Sequence, residues 1–91
     1  MAIVRIPTPL RRLTKEQDEV NSGASNVNDL IQDLEDQFPG IKDKICEDDG
    51  SIRKFINIYI NDEDIRFLEG PETNIKEDDT ISIIPAIAGG I

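Results

Sequence analysis

Asn26-Val27-Asn28-Asp29-Leu30-Ile31-Gln32-Asp33-Leu34-Glu35-Asp36-Gln37-Phe38-Pro39-Gly40 is the stretch that decides the fold. Val27, Leu30, Ile31, Leu34 and Phe38 recur at helical spacing, which puts them in one apolar stripe on a helix of about three turns. Asn26 predicts the N-cap, and Asp29 three residues on makes a variant of the capping box. Pro39-Gly40 predicts the stop. Asp29, Gln32, Asp33, Glu35 and Asp36 cover the wet face. Glu35 and Asp36 fall near the negative end of the helix dipole, where acids are mildly unfavourable. They read as tolerated surface acids, with service to a partner as the alternative.

Outward from the helix the chain reads as strands. Ala2-Ile3-Val4-Arg5-Ile6 predicts a first strand, ended by Pro7 and Pro9. A return strand near Gln17–Val20 is weakly signalled, and Asn21-Ser22-Gly23-Ala24-Ser25 is a loop by composition. Ile41 to Ile45 predicts a short helical turn. Phe55-Ile56-Asn57-Ile58-Tyr59-Ile60 alternates clearly, with Ile56, Ile58 and Ile60 on one face and Phe55, Asn57 and Tyr59 on the other. Asn61-Asp62-Glu63-Asp64 predicts a turn and Ile65-Arg66-Phe67 a short return strand. Thr80-Ile81-Ser82-Ile83-Ile84 predicts the last strand, and Pro85, lacking an N–H, suits its end.

One helix amid strands is an α+β order, with the helix covering one face of one sheet. The predicted core is Val4, Ile6, Val27, Leu30, Ile31, Leu34, Phe38, Ile56, Ile58, Ile60, Ile81 and Ile83. The opposite sheet face would carry Ile3, Arg5, Phe55, Tyr59 and Ile84, aliphatic and aromatic residues of the kind that mark an interface.

Ninety-one residues make one small domain with a modest core. No run approaches the roughly 18 apolar residues of a membrane span, and no apolar leader follows the N-terminal arginines. A single cysteine, Cys46, permits no internal disulfide, so a cytoplasmic home is expected. Net charge is −9. Arg5, Arg11, Arg12 and Lys15 precede every acid; residues 16–91 hold 19 acids against six bases, a balance of −13. Nucleic acid is therefore a poor partner, and an acidic surface suits either a basic partner protein or plain solubility. The loop Glu47-Asp48-Asp49-Gly50 lacks the ligand spacing of a calcium hand. With no histidine in the chain, Cys46 cannot belong to a cysteine–histidine pair and reads as a packing residue. Paired acid/base groups, phosphate loops and metal clusters are not evident, so the chain is not read as an enzyme and no bound cofactor or metal is expected.

Beyond the last strand come Pro85-Ala86-Ile87-Ala88-Gly89-Gly90-Ile91. The two glycines carry no Cβ and reach backbone angles closed to other residues. Such a tail can thread a narrow channel and present an uncrowded carbonyl. Strand, proline, small residues and Gly-Gly together resemble the C-terminus of the MoaD/ThiS family of ubiquitin-like sulfur carrier proteins. Ile6-Pro7-Thr8-Pro9-Leu10-Arg11 and the segment from Phe55 to Phe67 look like the family's CysO-like branch, which serves cysteine biosynthesis. The resemblance implies a ubiquitin-like β-grasp: a mixed sheet of four to five strands with the first and last parallel, covered by one main helix. It divides the chain into a domain, 1–86, and a flexible tail, 87–91.

The chemistry implied by the resemblance centres on Gly90, presented with Gly89. An E1-like adenylating enzyme of the MoeB/ThiF type uses ATP to adenylate the Gly90 carboxylate. A sulfur donor then converts it to a thiocarboxylate, and the sulfur passes to an acceptor enzyme such as a PLP-dependent cysteine synthase. The docking surface implied for these partners is Ile3, Arg5, Phe55, Tyr59, Ile84, Pro85 and Ile87. The chain departs from the family pattern at Ile91, whose β-branched bulk would crowd a site shaped for glycine. Ile91 could be a residue removed by a JAMM-type metalloprotease that cuts after Gly90. It could also be an addition from cloning, or mark a chain no longer activated. Alternative roles are the small subunit of molybdopterin synthase, a thiamine or tRNA sulfur carrier, a ubiquitin-like protein modifier and a non-reactive interaction module.

Overall fold

The computed structural model describes residues 1–85, and within them the expected helix forms at the expected place. Helix α1, Val27–Gln37, starts where the Asn26 side chain accepts the Asp29 backbone N–H at 2.8 Å. Its stripe of Val27, Leu30, Ile31 and Leu34 is buried, with Phe38 just beyond its end. The chain turns at Gly40, whose φ of 102° favours glycine, into the one-turn helix α2, Lys42–Ile45.

Five strands make one sheet in the order β2-β1-β5-β3-β4. They are β1 (Ala2–Arg5), β2 (Glu19–Ser22), β3 (Ile56–Ile60), β4 (Glu63–Asp64) and β5 (Thr80–Pro85). β1 and β5 run parallel, with Ile3 opposite Thr80, Val4 opposite Ile81 and Arg5 opposite Ser82. The other pairings are antiparallel, so the sheet is mixed. β5 is the central strand and is described as far as Pro85, opposite Ile56. All twelve predicted core residues are buried, joined by Leu10, Ile41, Ile45, Cys46, Ile65 and Ile75, among others.

Three local expectations need correction. The predicted strand Ile65-Arg66-Phe67 is a 3-10 helix, and the return strand is only Glu63–Asp64. Asn61 and Asp62 alone make the turn, with φ of 51° and 74°. Both residues tolerate that left-handed region and suit a two-residue hairpin. Asp64 then stops the ladder, because its carboxylate accepts the Arg66 backbone N–H at 2.9 Å and starts the 3-10 turn. The first return strand is displaced from Gln17–Val20 to Glu19–Ser22. A 3-10 helix, Thr8–Leu13, precedes it, and the buried Thr14 hydroxyl lies 3.1 and 2.8 Å from the Arg11 and Gln17 carbonyl oxygens. The backbone up to Gln17 is thereby committed before the strand can begin. Glu35, expected as a tolerated acid, accepts the backbone N–H groups of Gly40 and Lys42 at 3.1 and 2.9 Å. It satisfies donors at the start of α2 that would otherwise lack a partner, and those bonds, Lys42 first, hold its carboxyl below the usual range.

The carboxyl of Asp64 is also held below its usual range, first by the Arg66 side chain and then by its backbone N–H. A carboxylate whose folded pKa is depressed adds stability above its unfolded pKa of about 3.9 and loses it as pH falls through the folded value. Asp64→Asn should therefore be less stable than the parent at neutral pH. The difference should shrink as pH falls below about 4. Urea midpoints measured across that range check this; a difference that stays constant into strong acid contradicts it.

Candidate docking face and tail root

The strand pleat puts alternate residues of β1, β5 and β3 on the face away from α1. Ile3 is 38% exposed and Ile84 47% exposed on that face, with Arg5 also open and Tyr59 half-buried. The register sets Arg5, Ser82 and Tyr59 in one row across three strands. Ile3 lies beside Thr80, and Ile84 beside Asn57. The face is thus mixed rather than continuously apolar: Thr80, Ser82 and Asn57 separate the residues named from sequence. Ile3 and Ile84 sit at opposite ends, four strand residues or about 13 Å apart. Phe55 is 54% exposed, but it lies in the turn ahead of β3 rather than in the strand.

Pro85 is the last described residue of the central strand. A groove of about 320 Å³ beside it is lined by Arg5, Pro7, Thr8, Arg11 and Ile84, among others. Arg11 donates from Nε to the Ile6 carbonyl oxygen at 3.0 Å, which fixes its guanidinium near the tail root. Sequence reasoning missed this placement; its one available sign was the acid-free run before Glu16. Asn61 anchors the other end of β5, accepting the Thr80 N–H at 3.0 Å and donating to Asp79 at 2.8 Å. Ile87, Gly89, Gly90 and Ile91 lie outside the described residues.

A model of the ThiS family matches residues 4–90, nearly the whole chain and both glycines. The chain belongs to the ThiS family of ubiquitin-like sulfur carrier proteins. Members of this family are not themselves catalysts. The chain is 40% identical over 89 residues to the sulfur carrier protein CysO of Mycobacterium tuberculosis, with 96% of each chain covered. A crystal structure of the BexX/CysO complex from Amycolatopsis orientalis superposes with a TM-score of 0.92 at 40% identity, covering 99% of this chain and 100% of that one. Small archaeal modifier protein 1 from Methanosarcina acetivorans superposes at 0.85 with 35% identity, over 98% and 95% of the two chains. These likenesses identify the fold as the ubiquitin-like β-grasp.

In this ThiS-family chain, Cys46 and the acidic loop are engaged locally. Cys46 is buried, and that burial pushes its thiol up, away from the reactive thiolate. Asp49, in the acidic loop, has its carboxyl lowered by the Ser51 hydroxyl and backbone N–H, so a local turn engages it. Among the described residues no helix is long and apolar enough to cross a membrane.

Proposed function

We propose that this protein carries sulfur for cysteine biosynthesis on the C-terminal carbonyl of Gly90. The observation that carries the reading is a family match extending through Gly89 and Gly90, beyond a central strand described as far as Pro85. Water first cleaves the Gly90–Ile91 peptide bond, with a JAMM-type metalloprotease as the proposed catalyst. The freed carboxylate oxygen attacks the α-phosphorus of ATP in an E1-like enzyme and expels pyrophosphate. Hydrosulfide supplied by a sulfur donor then attacks the carbonyl of the acyl-adenylate, expels AMP and loses its proton, leaving a thiocarboxylate. That sulfur adds to an electron-poor carbon of an acceptor held by a second enzyme, in this reading a PLP-dependent cysteine synthase, forming a thioester. Water then cleaves the acyl–sulfur bond, leaving the sulfur on the acceptor and returning the Gly90 carboxylate. The chain supplies the acyl end and the docking face, its partners supply the catalytic groups, and the cytoplasm is the proposed setting.

Intact mass spectrometry tests the central step. A chain ending at Gly90, given its E1-like enzyme, ATP and a sulfur source, should gain about 16 Da as one oxygen is replaced by sulfur. An unchanged mass beside a demonstrably active enzyme would falsify the reading.

The row of Arg5, Ser82 and Tyr59 is the proposed centre of the contact with that enzyme. Tyr59→Ala should weaken binding roughly tenfold or more, as loss of a central aromatic anchor does, while the domain stays folded. Isothermal titration with circular dichroism on the same sample checks both halves. Parent-like affinity removes Tyr59 from the interface.

Likeness to the archaeal modifier protein supports a second reading, in which Gly90 is joined to lysines of other proteins. Gly-Gly remnants on lysines of cellular proteins, traced to this chain, would favour it.

A further inference from the structure

A further opening lies off the docking face. It is a cleft of about 540 Å³ between the segment entering β3, the 3-10 turn after β4 and the Gly70-Pro71 turn. Its apolar side is Ile52, Ile56, Ile58 and Ile65; Arg53, Lys54 and Arg66 also line it. Those are three of the six cations found after residue 15, in a region holding 19 acids. Asp64, the one acid of the lining, is paired to Arg66 at 2.7 Å. Arg53 is held by the Asp43 carbonyl oxygen at 2.9 Å and by Glu47 at 3.3 Å. Lys54 is exposed, with no carboxylate within ion-pair distance among the described residues. Next to Arg66, Phe67 is 86% exposed and Leu68 40% exposed.

We infer that this cleft docks an acidic peptide segment of a partner protein, with one bulky apolar side chain as its anchor. The isoleucines offer the anchor a desolvated seat, as pockets for peptide anchors do. The cationic rim selects the flanking charge: three cations beside an apolar seat favour an acidic segment, which the acid-rich surface elsewhere after residue 15 repels. Phe67 and Leu68 extend the apolar contact past the cleft, over an area that a small ligand would leave uncovered. Ile56 lines the cleft and faces Pro85 across the ladder, so the seat adjoins the tail root. The outward row of Arg5, Ser82 and Tyr59 stays free when the cleft is filled. The inference does not depend on the sulfur chemistry.

The test is a titration of the full isotope-labelled chain with a capped hexapeptide, Glu-Asp-Leu-Phe-Asp-Glu, followed by NMR. Amide shifts should move at Ile52, Lys54, Ile56, Ile65 and Phe67, and not at Ile3 or Tyr59. Lys54→Glu and Phe67→Ala alter exposed side chains and should leave the fold intact, yet each should weaken binding roughly tenfold. Added salt should weaken it further. Four results overturn the inference: no shifts, shifts centred on the outward face, equal binding of the peptide with lysines for its acids, or parent-like affinity in both variants. So do contacts in the free chain from Ile87 or Ile91 methyls into the cleft, because the chain's own tail would then be the occupant.

Discussion

Ile81→Ala is expected to cost about 3 kcal/mol of stability, within the range for deleting a fully buried isoleucine side chain to its β-carbon. Ile81 is 0% exposed in the central strand, beside Val4 on β1 and Ile60 on β3. The neighbouring strands are held on both sides and cannot collapse freely into the cavity. For a domain of this size each kcal/mol moves the melting temperature by about 4–8 °C, so a fall of about 12 °C or more is expected. Ile84→Ala is the control, three residues along the same strand on the outward face and 47% exposed. It should change stability by only about 1 kcal/mol, since about half of that residue stays in water on folding. Comparable losses in the two variants, read by thermal melts, would show that the sheet does not separate core from surface as described.

The second large effect concerns the tail. Under the proposed function, a chain ending at Gly90 should support ATP–pyrophosphate exchange by its E1-like enzyme at least about 100-fold faster than the chain ending at Ile91. A carboxylate on a β-branched residue is one residue too far along and carries two branches beside the reacting carbon. A displacement on the order of 1 Å already costs about 100-fold where reacting atoms must be aligned. Equal exchange rates would remove the need for trimming and return Ile91 to an ordinary terminal residue.

Much of the fold was legible because its apolar periodicities do not conflict. The stripe from Val27 to Phe38 fits only a helix, and the alternation from Ile56 to Ile60 fits only a strand with one buried face. Those two segments, the Thr80–Ile84 run and the first strand supply all twelve residues named as core. The errors fell where side chains bond to nearby backbone. Asp64 ends β4 by capping the next turn, Thr14 holds the chain before β2, and Glu35 caps α2 from seven residues away. Each is a polar residue whose partner depends on a conformation not yet known, so periodicity carries no trace of it. The outward sheet face was legible by strand parity. Its mixed character was not, because Thr80, Ser82 and Asn57 enter it only once β5 is known to lie between β1 and β3. Parallel pairing of β1 with β5 followed from the family resemblance; the residues alone do not dictate it.

That pairing has a mechanical consequence. Because β1 and β5 point the same way, tension between the segment before Ala2 and the segment after Pro85 loads their ladder in shear. The bonds along Ile3, Val4 and Arg5 must then fail together rather than peel apart one after another. Under the proposed function, the body of the domain therefore withstands a pull on its tail when its N-terminal segment is held.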